Sequence, residues 1–144
     1  MKVNVLVDTS IWSLAFRRKK LNPNEKILTG ELTNLIEEVR AVIIGPIRQE
    51  ILSGISNISQ YALLKKQLKA FADVPITTED YETAAEFHNI CRQNGVQGSQ
   101  GSHIDYLICA VAYRHGMSIF TTDRDFLMFS KHLEIELYKP RTIN

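Results

Sequence analysis

At 144 residues the chain suits a single domain that buries roughly two-thirds of its unfolded surface. Its net charge of +1, with 44% hydrophobic and 23% charged residues, is ordinary for a globular chain and gives no global argument for nucleic acid. No apolar run approaches the ~18 residues of a membrane span. The first apolar run is interrupted by Asp8 and does not read as a signal peptide, and Cys91 and Cys109 read as buried thiols of a reducing cytoplasm rather than a disulfide framework.

Val3-Asn4-Val5-Leu6-Val7 is short and β-branched, which suits a strand buried on both faces of a parallel sheet. Asp8 stands where that strand ends, the edge at which open α/β sheets bind ligands. Taken alone, Asp8 is more simply an acid that opens a turn and caps backbone N–H groups. Ile11 to Phe16 suits a short helix, with Trp12 in the core or, at the edge, able to stack an unpaired base. Arg17-Arg18-Lys19-Lys20 is either a solvated loop or a phosphate-contacting patch. After the break at Asn22-Pro23-Asn24, the spacing of Leu28, Leu32, Leu35, Ile36 and Val39 predicts a helix over 25–40, weakened at Gly30.

Ala41-Val42-Ile43-Ile44 is a second buried strand, and Gly45-Pro46 starts a helix. Ile47, Ile51 and Ile55 share one face of it. Glu50 falls beside that stripe, either turned toward the core side, where Glu is rare unless paired, or passing it to reach solvent. A further helix is expected over 59–71, and Asp73 to Ile76 as an edge strand, where Pro75 is tolerated. Thr77-Thr78-Glu79-Asp80 starts a helix to about Arg92. On its apolar stripe His88 reads as a core histidine rather than a ligand. Asn94 to Ser102 carries three Gly and no charge. It reads as a flexible loop, either the rim of a site or a plain linker, and it lacks the ending of a phosphate-binding loop.

From Ser102, residues Ile104, Leu107, Ile108, Val111, Ala112 and His115 keep a strict helical period that Gly116 ends. Ser102 and Asp105 form a capping-box pattern, so Asp105 has a structural role whether or not it has a chemical one. Met117 to Thr121 is a third strand with Asp123 just beyond its end. Asp125, three after Thr122, also reads as a cap. A short helix over 126–130, a strand over 135–138 and a tail from Lys139 complete the chain. Strands alternating with helices predict an α/β fold, a three-layer α/β/α sandwich with a mostly parallel central sheet.

Asp8, Glu50, Asp105 and Asp123 all have reasons to meet at one sheet edge. Carboxylates 4 Å apart repel by about 4 kcal/mol per pair at an effective dielectric near 20, so their convergence argues for a cation. Oxygen-only ligation selects Mg²⁺ or Mn²⁺, and such ions serve phosphodiester hydrolysis. Two other acid-based sites fail on single residues. An Asp-x-Asp phosphatase needs an acid where Ser10 stands, and an Asp-x-Ser-x-Ser adhesion site needs Ser where Trp12 stands.

Four stretches carry a family likeness: Val-Leu-Val-Asp8-Thr-Ser-Ile-Trp, Ile-Arg-Gln-Glu50-Ile-Leu-Ser-Gly, Asp105-Tyr-Leu-Ile-Cys-Ala-Val-Ala-Tyr-Arg-His-Gly, and Thr-Thr-Asp123-Arg-Asp125-Phe. Together, and in this order, they resemble the PIN-domain ribonucleases, in particular the VapC-type toxins of bacterial toxin–antitoxin pairs. The resemblance implies one PIN-like domain over 1–144, Mg²⁺-dependent endoribonuclease activity, a homodimer and a cognate antitoxin. By position it makes Asp8, Glu50 and Asp105 the principal metal-binding acids. Asp123 is favoured as the fourth, with Asp125 the alternative. Thr9 and Thr121 would orient water or a carboxylate, and Arg17 to Lys20 with Arg114 would grip the RNA backbone. Two rivals remain: a PIN-fold module that binds RNA or protein without turnover, and an α/β domain whose acids are only caps.

Overall fold

A computed structural model describes residues 2–96 and 102–141. The order is β1 (Val5–Val7), α1 (Thr9–Phe16), α2 (Pro23–Glu37), β2 (Ala41–Val42), α3 (Gly45–Leu52), α4 (Ile58–Leu68), α5 (Thr78–Gln93), α6 (His103–Arg114), β3 (Ser118–Phe120) and α7 (Asp125–Phe129). The three strands form a parallel sheet in the order β2-β1-β3. β1 is therefore central, and the chain leaves it for one neighbour and later returns to the other. This is the topological switch point at which α/β sheets open a crevice. The alternating α/β arrangement expected from sequence is thus present, with Val5, Leu6 and Val7 fully buried.

The edge strand expected over 73–76 and the final strand expected over 135–138 shrink to single bridges, Ile43 with Asp73 and Ile119 with Leu137. Pro75 lacks the N–H that would extend the first. The expected loop over 94–102 divides. Asn94 to Val96 close the end of α5, and 97–101 lie outside the described residues. Trp12 settles in the core, not at an RNA-facing edge: it is fully buried and its Nε1–H donates to the Val7 carbonyl at 2.9 Å.

Two ion-pair clusters escaped the sequence. Asp80, fully buried, accepts from Arg114 Nη1 at 2.6 Å and lies 3.3 Å from His115 Nε2. Burial pushes its carboxyl up, but the Thr77 backbone N–H, Arg114 and His115 pull it below the usual range. Arg114, expected to grip the RNA backbone, clamps the start of α5 to the end of α6 through Asp80. The tail is pinned as well. Arg141 grips buried Glu31 of α2 through Nη2 at 2.6 Å and its backbone N–H at 2.7 Å.

Three helices end alike. The N–H two residues past the cap reaches back across the last turn: Arg40 to Leu35, Val96 to Cys91, and Met117 to Ala112. This motif places the intervening residue in the left-handed region, where Gly is favoured. Gly95 and Gly116 fill it after α5 and α6, but after α2 it falls to Val39, at φ 57° and almost fully exposed. A β-branched residue there costs about 1–2 kcal/mol. Gly30, conversely, lies inside α2 with open space around a would-be Cβ. Gly30 lies inside α2 and Val39 just past its C-cap, and each suits the other's position. Val39→Gly should therefore stabilise the protein by about 0.5–1 kcal/mol, and Gly30→Ala by about 1 kcal/mol. Each should raise the melting midpoint by about 2–4 °C in thermal denaturation.

Candidate metal and nuclease site

The site grows from the end of β1. Backbone pairing continues through Asp8, whose N–H donates to the Phe120 carbonyl at 2.9 Å. Asp8 precedes α1, and its main-chain carbonyl accepts from Ile11 and Trp12 while its side chain makes no cap. The side chain turns instead to β3's side. Oδ2 accepts from Ser10 Oγ at 2.9 Å and from Thr121 Oγ1 at 2.7 Å. The hydroxyls accept in turn: Thr122 N–H donates to Ser10 Oγ at 3.1 Å, and Asp123 N–H to Thr121 Oγ1 at 3.0 Å. Asp123 Oδ1 then accepts the Asp125 N–H at 2.9 Å. One chain of bonds thus runs from β1 to the start of α7. It keeps Asp8 satisfied although it is only 7% exposed.

Asp105 arrives from α6. The capping box expected from sequence is formed: Ser102 N–H donates to Asp105 Oδ2 at 3.1 Å, and Asp105 N–H to Ser102 Oγ at 3.2 Å. Asp105, Asp123 and Asp125 each place an atom that could ligate a metal within 4.8 Å of the others. Asp125 therefore does two things. It begins α7 with buried Phe126 behind it, as expected, and its carboxylate also joins the cluster. Its N–H is capped by Asp123 and not by Thr122. Both acids weighed for the fourth position, Asp123 and Asp125, lie beside Asp105.

Glu50 comes from α3 and is exposed, not core-facing. Its carboxyl is nonetheless raised, first by partial burial, then by Asp8 and Asp105, with the Thr9 hydroxyl opposing. Asp105 is raised by burial, then by Asp123 and Asp8 against the Ser102 bonds. Asp125 is raised by burial and by Asp123. Thr9 Oγ1 is buried and faces Glu50, which it helps to ionise, but it closes no hydrogen bond of ordinary geometry among the described residues. A set of oxygen donors that oppose one another's ionisation, beside a buried hydroxyl with unused capacity, fits a hard divalent cation.

The model of the PIN domain family matches residues 5–131. This chain belongs to the PIN-domain family. Within it, the chain is 30% identical over 125 residues to ribonuclease VapC11 of Mycobacterium tuberculosis, an alignment spanning 85% of this chain and 88% of that one. Among solved structures, FitAcB from Neisseria gonorrhoeae superposes with a TM-score of 0.74 at 18% identity, covering 94% of this PIN-domain chain and 97% of that one. A toxin–antitoxin complex from Klebsiella pneumoniae gives 0.61 at 16% identity, covering 97% and 100%. At these identities the structural likeness speaks to the fold, and the fold is PIN-like.

The raised carboxyls have a measurable consequence. Between the usual carboxylate pKa and the raised one, the native protein holds protons that the unfolded chain has released. Without metal, stability then falls as pH climbs through that window. In EDTA at pH 7, Glu50→Gln should melt slightly above wild type, by less than about 1 kcal/mol because Glu50 is solvent-screened. The gap should close as the pH is lowered toward 4. Melting curves of both proteins over that pH range check this.

Proposed function

We propose that this PIN-domain protein is a Mg²⁺-dependent endoribonuclease, with Mn²⁺ able to substitute, and that it is the toxin of a toxin–antitoxin pair. The observation that carries the proposal is the gathering of Asp105, Asp123 and Asp125 within 4.8 Å beside Asp8 at the switch point. Asp8, Glu50, Asp105 and Asp123 are the acids proposed to hold the metal and serve catalysis, with Asp125 joining them. When bound, a divalent cation there lowers the pKa of a water nucleophile and offsets charge on the phosphate.

The chain's own residues do the positioning. Ser10 and Thr121 fix the Asp8 carboxylate, Ser102 fixes Asp105, and the Asp123–Asp125 turn sets the remaining pair. A groove of about 450 Å³ leads from Ser10 and Thr122 to Arg18 and Asn22. It gives a phosphate strand a route to the acids, although Arg18 also pairs with Glu25 at 2.8 Å. Phosphate contacts there position RNA without reading its sequence. Arg17 and Lys19 look onto a different groove, of about 400 Å³, which has Phe16, Ile55, Leu63 and Leu64 among its lining. Cations around apolar side chains suit an acidic amphipathic protein segment better than a phosphate chain, in keeping with an antitoxin partner. A homodimer and a cytoplasmic location are proposed with it. No helix of the described residues is long and apolar enough to cross a membrane.

The test is cleavage of a labelled RNA pool by antitoxin-free protein with Mg²⁺, Mn²⁺ or EDTA. Cutting should require metal. It should fall by about 100-fold or more in Asp8→Ala and Asp105→Asn, the loss expected when several kcal/mol of charge stabilisation are removed. Asp123→Asn keeps an acceptor for the Asp125 N–H, so its loss of activity reports the charge alone. A folded wild type that cuts nothing yet retains RNA would instead mark a binding module without turnover.

A further inference from the structure

Rings that the acid chemistry leaves unused line the face shared by α5 and α6. Tyr81, Ala84, Ala85, His88 and Arg92 recur at i, i+3, i+4, i+7 and i+11, along one side of α5. The Asp80–Arg114 bond joins the start of α5 to the end of α6, so the two helices run antiparallel. The His88–Arg92 half of α5 therefore lies beside His103 and Tyr106, at the end of α6 that carries Asp105. A groove of about 290 Å³ opens there between the helices, with Tyr81, His88, Arg92 and His103 among its lining.

The rings are braced from behind. His88 stacks on Tyr106, with centroids 4.6 Å apart and planes 14° from parallel. His103 meets His88 edge-on at 5.7 Å. Tyr106 is buried and rests on Phe129 of α7 at 5.0 Å. Tyr81 and His103 are exposed, His88 is half-buried, and the small Ala84 and Ala85 keep space between them. The groove lining contains no acid, and Arg92 supplies a cation. An acid-free strip of planar rings thus lies at the end of α6 that carries the carboxylates. His103 and Asp105 are two residues apart, about 3 Å of rise but on opposite sides of the helix, so a strand passes over the N-terminal end of α6 to reach from the groove to the acids.

We propose that this groove is a stacking platform for unpaired bases of the RNA strand that the acid site cuts. His103 and His88 receive one base, Tyr81 receives another, and Arg92 meets a phosphate. The proposal rests on the nuclease reading above and adds the residues that select a single-stranded substrate. Planar rings stack any base, and a cation among them serves the backbone. Tyr and Arg are also usual at contacts between protein copies, so the oligomeric state is read alongside RNA binding.

The test uses a single-stranded RNA carrying 2-aminopurine, with Ca²⁺ in place of Mg²⁺ and the RNA verified intact on a gel. Wild type should quench the fluorophore. His103→Ala should weaken binding by about 5- to 150-fold and relieve the quench, and His103→Phe, which keeps a ring, should restore both. Arg92→Ala should lower the log–log salt slope by about one while the quench persists. Unchanged binding and quenching in His103→Ala, with a wild type that cleaves the RNA pool in Mg²⁺, would overturn the platform and leave the nuclease standing. A wild type that neither cleaves nor binds would overturn both. A change of oligomeric state in His103→Ala on size exclusion would assign the face to a second copy and also overturn the platform.

Discussion

Three of the four aspartates gathered at the end of β1 have carboxylates held by bonds to the protein itself. Asp8 accepts two hydroxyls, Asp105 caps α6, and Asp123 caps the turn into α7. A hydrogen bond to a charged group contributes about 1.5–3 kcal/mol, which is comparable with the repulsion between neighbouring carboxylates at the effective dielectric of such a site. These bonds therefore let the fold gather like charges without a cation. They do not satisfy the cluster fully. Asp105, Asp125 and Glu50 remain harder to ionise than ordinary carboxylates, and a divalent ion would relieve that remainder.

Glu50 differs from the aspartates. It comes from the middle of a helix, caps nothing, and faces a buried Thr9 hydroxyl that closes no hydrogen bond of ordinary geometry among the described residues. Its orientation is set by the Ile47–Ile51 stripe, which packs α3 against the core and leaves Glu50 on the rim. Asp8 is fixed by two hydroxyls and Asp105 and Asp123 by neighbouring backbone N–H groups, while Glu50 is a longer, exposed arm that can adjust to an ion or a phosphate. The switch-point topology brings both kinds of acid to one edge. β1 lies between β2 and β3, so α1, α3, α6 and α7 all start where it ends.

Much of this frame was legible in the sequence. The β-branched run before Asp8, the Ser102–Asp105 capping pattern and the acids beyond the third strand each have a local cause, and local causes survive folding. The capping pattern at Asp105 left room for a second role, and one carboxylate does close the cap while facing the other acids. Other features depend on contacts between distant segments. Asp125 joins the site only because the Asp123 turn swings it toward α6. Arg114 is taken by Asp80 across 34 residues, and Arg141 by Glu31 across 110. His88 sits on a helical stripe that reads as core, but it lies in a groove because α6 leaves space there beside Ala84 and Ala85. Trp12 reads ambiguously until the Val7 carbonyl is seen to take its N–H.

The central claim is that these carboxylates form a divalent-metal site, and calorimetric titration of Mn²⁺ into metal-free protein at neutral pH tests it most directly. The account predicts saturable binding by wild type, lost in Asp105→Asn while the variant keeps its native melt. A folded wild type that takes up no Mn²⁺ would contradict it, and so would binding that survives Asp105→Asn unchanged.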